Sequence, residues 1–165
     1  MHIVFRIISR VFYQCRRYLD VLIDRDKLFT DLLNSAKFLK SHELSTGKLG
    51  ATGFCYGGGV VNKLAVVMGG DLNAGVPFYG SAPETEDVVK IEAPLMIQYA
   101  EDDPRVNASQ ADYRKALEDN GKEFVMHTYD GTRHGFHNDS TPRYNEAQAQ
   151  LAWDRTVSFF KEHLS

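Results

Sequence analysis

From Asp24 onward the hydrophobic positions alternate between helical spacing and short, nearly continuous runs. In "DRDKLFTDLLNSAKFLKSH", residues 24–42, Leu28, Leu32, Leu33, Ala36 and Leu39 recur at mostly three- and four-residue steps, which predicts an amphipathic helix lying on a sheet. "KLGATGF" (48–54) follows as a short strand, and a helix then runs to about Met68. Three more apolar runs, "AGVPFYG" (74–80), "APLMIQYA" (93–100) and "EFVMHTYD" (123–130), predict strands. "NASQADYRKALEDNG" (107–121) reads as a helix capped by Asn107 and closed by Gly121. "RYNEAQAQLAWDRTVSFFKEHL" (143–164) reads as a long final helix, with Trp153, Phe159 and Phe160 toward the core.

Strands apolar throughout and joined by helices predict a mostly parallel sheet covered on both faces, a three-layer α/β sandwich. Ligand sites in such sheets gather beyond the carboxyl ends of the strands. The first 24 residues break the pattern. "MHIVFRIISRVFYQCRRY" carries Arg6, Arg10, Arg16 and Arg17 without an acidic residue, and its form is a strand or an amphipathic helix. The chain therefore divides into an atypical segment, 1–24, and a layered α/β part, 25–165.

Composition narrows the class. With 165 residues, 43% of them hydrophobic, the chain can bury one core as one domain. Its two cysteines, Cys15 and Cys55, show neither a disulfide framework nor zinc-ligand spacing, which favours a reducing compartment, the cytoplasm by default. His2, His42, His127 and His163 form no ligand pattern. A net charge of −3 and a pI near 6.1 leave no footprint for nucleic acid. No apolar run reaches the ~18 residues a membrane span needs. Small molecules and other protein chains remain as partners.

One strand end carries reactive chemistry. "GFCYG", residues 53–57, fits G-x-nucleophile-x-G, the sharp strand-to-helix turn that exposes a nucleophile. Gly53 and Gly57 supply the room, and the helix that begins after Cys55 favours its thiolate. The Tyr56 amide would point to the same place as half of an oxyanion hole. The bland alternative for Cys55 is a small buried hydrophobe. A thiol nucleophile also needs a base and a group to orient it, from loops after later strands. "EDDPRVN" offers Glu101, Asp102 and Asp103, and "GTRHGFHND" offers His134 and His137. The order nucleophile, acid, histidine on successive strand ends is that of a catalytic triad.

"GKLGATGFCYGGGVV", "PLMIQYAEDDPRVNA" and "HGFHNDSTPRYNEAQAQLAWDRTVSFFKEHL" together resemble the dienelactone hydrolase (carboxymethylenebutenolidase) family of α/β-hydrolases, from about Arg25 to the C-terminus. The resemblance implies Cys55 as nucleophile, Asp103 as orienting acid and His134 as base, with Tyr56 donating its amide to the oxyanion. Asp103 and His134 are the members of their loops in the family's register, the histidine standing directly before Gly-Phe. The implied activity is hydrolysis of a small ester or dienelactone through an acyl-enzyme, without cofactor or metal. Arg105 and Arg133 offer charge to a substrate carboxylate, and Tyr79 and Tyr99 lie near strand ends where a pocket would form. Arg105 and Tyr99 are taken as candidate substrate contacts, against surface charge and strand packing as the bland alternatives.

The resemblance also implies a truncated α/β-hydrolase fold. Family members carry earlier strands and a loop that completes the oxyanion hole, for which this chain has no counterpart. The strand ending at Cys55 would then be an open edge, covered by "HIVFRII" folding back or by a second copy in a homodimer. Two other readings stand beside the hydrolase: an inactive remnant with a structural or binding role, and a class I glutamine amidotransferase-like protein. The latter places Glu two residues after its histidine, where this chain has Phe136.

Overall fold

The computed structural model describes residues 4–7, as backbone, and 24–165. Five strands, β1 (Val4–Ile7), β2 (Gly50–Phe54), β3 (Ala74–Phe78), β4 (Leu95–Asp102) and β5 (Phe124–Arg133), form one sheet in chain order with every neighbouring pair parallel. The helices are α1 (Arg25–Ser41), α2 (Tyr56–Met68), α3 (Pro104–Asn107), α4 (Gln110–Asp119) and α5 (Glu146–Leu164).

Alternation along β4 divides the core between the two faces. Leu95, Ile97 and Tyr99 join Phe29 and Ala36 of α1, Val61 and Leu64 of α2, and Tyr113 and Leu117 of α4. Met96 and Ala100 instead join Val76 and Phe78 of β3, Tyr129 of β5, and Ala149, Ala152, Phe159 and Phe160 of α5. The second cluster is pinned by a buried polar knot. The Tyr129 hydroxyl donates to Gln98 Oε1 at 2.5 Å, and Gln98 Nε2 donates to Thr156 Oγ1 at 3.2 Å. A buried amide with both ends bonded fixes β4, β5 and α5 to one another without an unpaired polar group.

β1 lies on the flank of β2, Val4 opposite Gly50 through Ile7 opposite Gly53. A strand from the N-terminal segment thus occupies the side for which the sequence leaves open a returning strand or a second chain. The expectations for Cys15 and for Arg10, Arg16 and Arg17 lie outside the described residues. Among the described residues no helix is long and apolar enough to cross a membrane.

Several local expectations shift. The helix predicted from Asn107 begins at Gln110 as α4, with Ser109 at its N-cap, and the short α3 precedes it, so Asn107 is not its cap. Asp103 caps α3, while the Asn107 amide donates to the carbonyls of Ala100 and Glu101 at 2.9 and 3.1 Å. Gly121 closes α4 with φ +59°, as its position predicts. β5 runs three residues further than expected, to Arg133, through a register irregularity opposite Ala100 and Asp102. α5 begins at Glu146, where Asn145 accepts from the Gln148 amide at 3.2 Å.

Candidate active site

Cys55 stands between β2 and α2 with φ 55° and ψ −116°. A residue with a side chain pays about 1–3 kcal/mol to hold such a backbone, so its surroundings must impose it. Its amide donates to the Phe78 carbonyl at 3.1 Å, and its carbonyl accepts from Gly58 and Gly59 at 3.0 and 3.2 Å. Glycine makes the turn sterically possible. A Cβ on Gly53 would lie 2.4 Å from the Gly57 carbonyl oxygen, and one on Gly80 would lie 2.2 Å from the backbone of Gly58 and Gly59. Backbone on both sides leaves nothing to yield cheaply. Gly53→Ala is accordingly expected to displace Cys55 and lower kcat/KM by about 10²-fold, as misplacement near 1 Å does, together with a lower melting temperature. Activity and a thermal melt on that variant check this.

The half-buried Cys55 thiol has the first turn of α2 beside it, and the positive end of that helix favours a thiolate. As the first residue of α2, Tyr56 has an amide without an intrahelical acceptor, which leaves it available to an oxyanion, while its side chain is half exposed.

The acidic run after β4 separates by environment. Glu101 is exposed and accepts from the Gly131 amide at 2.7 Å, and the exposed Asp102 pairs with Arg133 at 3.2 Å. Asp103 is 5% exposed; one of its oxygens accepts from the Val106 amide at 3.4 Å and the other lies 2.5 Å from His134 Nδ1. Of the three, only Asp103 meets the histidine. His134 keeps about a quarter of its side chain exposed, whereas His137 packs among Phe54, Phe78 and Trp153, its ring 5.0 Å from that of Phe54. Two residues after His134 stands the fully buried Phe136, so no acid occupies that place.

The two substrate contacts expected from sequence do not gather here. Tyr99 is 2% exposed in the cluster on the opposite face from Phe54 and Phe78, and burial pushes its phenol up to about 12 against the opposing charge of Arg114. It is a packing residue because strand periodicity turns it away from the site. Arg105 is exposed on α3. Arg133 is occupied by Asp102.

Tyr79 is the residue that sequence reasoning undervalued. It follows β3 with φ 35°, is 2% exposed, and presents its ring edge-on to His134 at 5.0 Å between centroids. Burial first, and then the charge of Cys55, hold its phenol well above the ordinary range. Its place near a strand end was legible in the sequence; the backbone turn that brings it over His134 was not. Among the described residues no group of three or more His, Cys, Asp or Glu is placed to hold a metal ion.

A nucleophile elbow followed by an acid and a histidine on the ends of β4 and β5 is the arrangement the sequence likeness implied, and the dienelactone hydrolase family model matches residues 14–164. The chain belongs to the dienelactone hydrolase family. The family match begins eleven residues before Arg25, where the likeness in sequence was first placed. Among relatives, protein usf of Aquifex pyrophilus is 35% identical over 165 residues, covering 90% of this chain and 71% of the relative. The carboxymethylenebutenolidase homolog of Mus musculus is 33% identical over 91 residues, which covers 54% of this chain and 37% of the relative. The crystal structure of a dienelactone hydrolase-like promiscuous phosphotriesterase from metagenomic libraries is similar with TM-score 0.75 and 19% identity, over 94% of this chain and 68% of that one. At that identity the likeness is one of fold, the three-layer α/β architecture with its parallel sheet.

Proposed function

We propose that this dienelactone hydrolase-family chain cleaves small carboxylic esters or lactones through a thioester on Cys55. The observation that carries the reading is the Asp103–His134 pair at 2.5 Å, just beyond β4 and β5 at the same carboxyl edge of the parallel sheet as the Cys55 elbow after β2. The thiolate attacks the carbonyl carbon, and the oxygen, now negative, receives the Tyr56 amide. Collapse of this intermediate breaks the ester C–O bond as His134 gives its proton to the departing oxygen. Water then loses a proton to His134 and attacks the thioester, releasing the acid and returning the thiol. Asp103 holds Nδ1–H of the imidazole so that Nε2 is the atom that exchanges protons. No step draws on a cofactor or metal.

Purified chain mixed with p-nitrophenyl acetate or a cis-dienelactone tests the reading. We expect product release together with an acetyl group, in the first case, on the peptide containing Cys55 after acid quenching and mass spectrometry. Acetylation confined to other residues, or turnover without a Cys55 adduct under burst conditions, would overturn it. A fold that keeps these residues but performs no turnover would show neither product nor adduct above background.

A further inference from the structure

Two described residues other than glycine have positive φ, Cys55 at 55° and Tyr79 at 35°, and they stand at the ends of adjacent strands. The second needs a reason as much as the first. Glycine or asparagine would adopt this backbone with less strain, so what the strain preserves is the aromatic side chain at that point. Its surroundings over-determine the backbone. The Tyr79 amide donates to the Gln98 carbonyl at 2.7 Å, Gln98 itself being held by Tyr129 and Thr156, and the following residue, Gly80, passes against Gly58 of α2.

The ring so placed meets the groups that matter. It lies 5.0 Å from the His134 ring at an interplanar angle of 60°, and 5.5 Å from Phe136 on its other flank. Its hydroxyl shares a hydrogen bond with the main chain of His137 and feels the charges of Cys55 and Arg143. Those five groups come from the β2–α2 turn and from the segment between β5 and α5. Burial and the Cys55 charge outweigh Arg143 and the His137 main chain, which act in the other direction. The phenol therefore keeps its proton throughout the pH range in which a thiol and an imidazole titrate.

We infer that Tyr79 is a positioning residue for the thiol–imidazole pair, its ring edge fixing the plane of His134 and its hydroxyl supplying a dipole that favours the Cys55 thiolate. The inference rests on the reading of Cys55 and His134 as nucleophile and base. It adds a residue whose effect passes through those two and which need not touch the substrate.

The deciding measurement is the pH dependence of Cys55 alkylation by iodoacetamide, read on the Cys55 peptide so that Cys15 does not contribute. Wild type, Tyr79→Phe and His134→Ala are compared, with thermal melts alongside. Tyr79→Phe keeps the ring, so the melting temperature is expected to fall by no more than roughly 2–4 °C. The alkylation rate at pH 6 is expected to fall about threefold to tenfold, with the midpoint moving toward the ~8.5 of a free thiol, as loss of a nearby dipole that favours the charged form requires. Hydrolysis of p-nitrophenyl acetate should lose kcat with KM unchanged. Superimposable alkylation profiles for wild type and Tyr79→Phe would overturn the inference, whatever the hydrolysis rates. A shifted profile in a chain that shows no hydrolysis would leave the Tyr79 inference standing and remove the hydrolase reading.

Discussion

Cys55→Ala is expected to lower kcat/KM toward p-nitrophenyl acetate by about 10⁴-fold or more, to the level of background hydrolysis. Removing the nucleophile of a triad costs roughly as much as removing the whole triad, because the remaining groups have nothing to activate. Alanine occupies the same backbone conformation with a smaller side chain, and Cys55 is only half buried, so the elbow and the melting temperature should change little. Close glycine packing and backbone hydrogen bonds hold the turn. Initial rates on the two proteins, each shown to melt cooperatively, give the result directly. Turnover retained within tenfold would mean that another group performs the attack.

Asp103→Asn is expected to lower kcat at neutral pH by about 10³–10⁴-fold, the scale observed when a triad carboxylate becomes an amide. The two side chains have the same shape, and the amide oxygen can still accept from the Val106 amide at the start of α3. What changes is the hydrogen bond to His134. In the proposed triad the carboxylate, 2.5 Å from Nδ1, accepts from Nδ1–H and leaves the Nε2 lone pair for the proton of the nucleophile. An amide NH₂ in that place donates to Nδ1, so the proton moves to Nε2 and the imidazole can no longer take one from Cys55. Asp102→Asn is the control, since Asp102 is exposed and its pair with Arg133 is a surface ion pair. Such pairs contribute about 0–1 kcal/mol, and activity should change by less than about twofold. A drop below tenfold in Asp103→Asn, or equal effects of the two substitutions, would remove Asp103 from the orienting role.

The pattern of apolar residues was sufficient for the layered architecture. Leu32, Leu33, Ala36 and Leu39 turn toward the sheet as their spacing predicts, and the first buried position, Phe29, lies on the same stripe. The elbow was legible for a comparable reason. Gly53, Cys55 and Gly57 lie within five consecutive residues, and the turn they make depends on local sterics. Adjacent residues carry their own geometry. Where the sequence misled, two long-range alternatives competed for one residue. Asn107 has the chemistry of a helix cap, but the carbonyls at the end of β4 lie within its reach and bind its amide instead. Ser109 stands at the N-cap of α4 instead, and Asp103 caps α3 while it also meets His134.

Tyr79 and Tyr99 show the same limit from two sides. Both are tyrosines near the ends of parallel strands, and nothing in their neighbours' identities separates them. Tyr99 remains within β4, where alternation sends it to the face covered by α1, α2 and α4. Tyr79 lies one residue beyond β3, where a left-handed step under Gly58 swings it over His134. The sequence by itself determined the α/β class, the elbow at Cys55 and the order of nucleophile, acid and histidine, because periodicity and short-range sterics are written in neighbouring residues. Only the tertiary structure decided that β1 flanks β2 and that Tyr79 faces the site while Tyr99 does not, because each depends on which distant backbone arrives beside it.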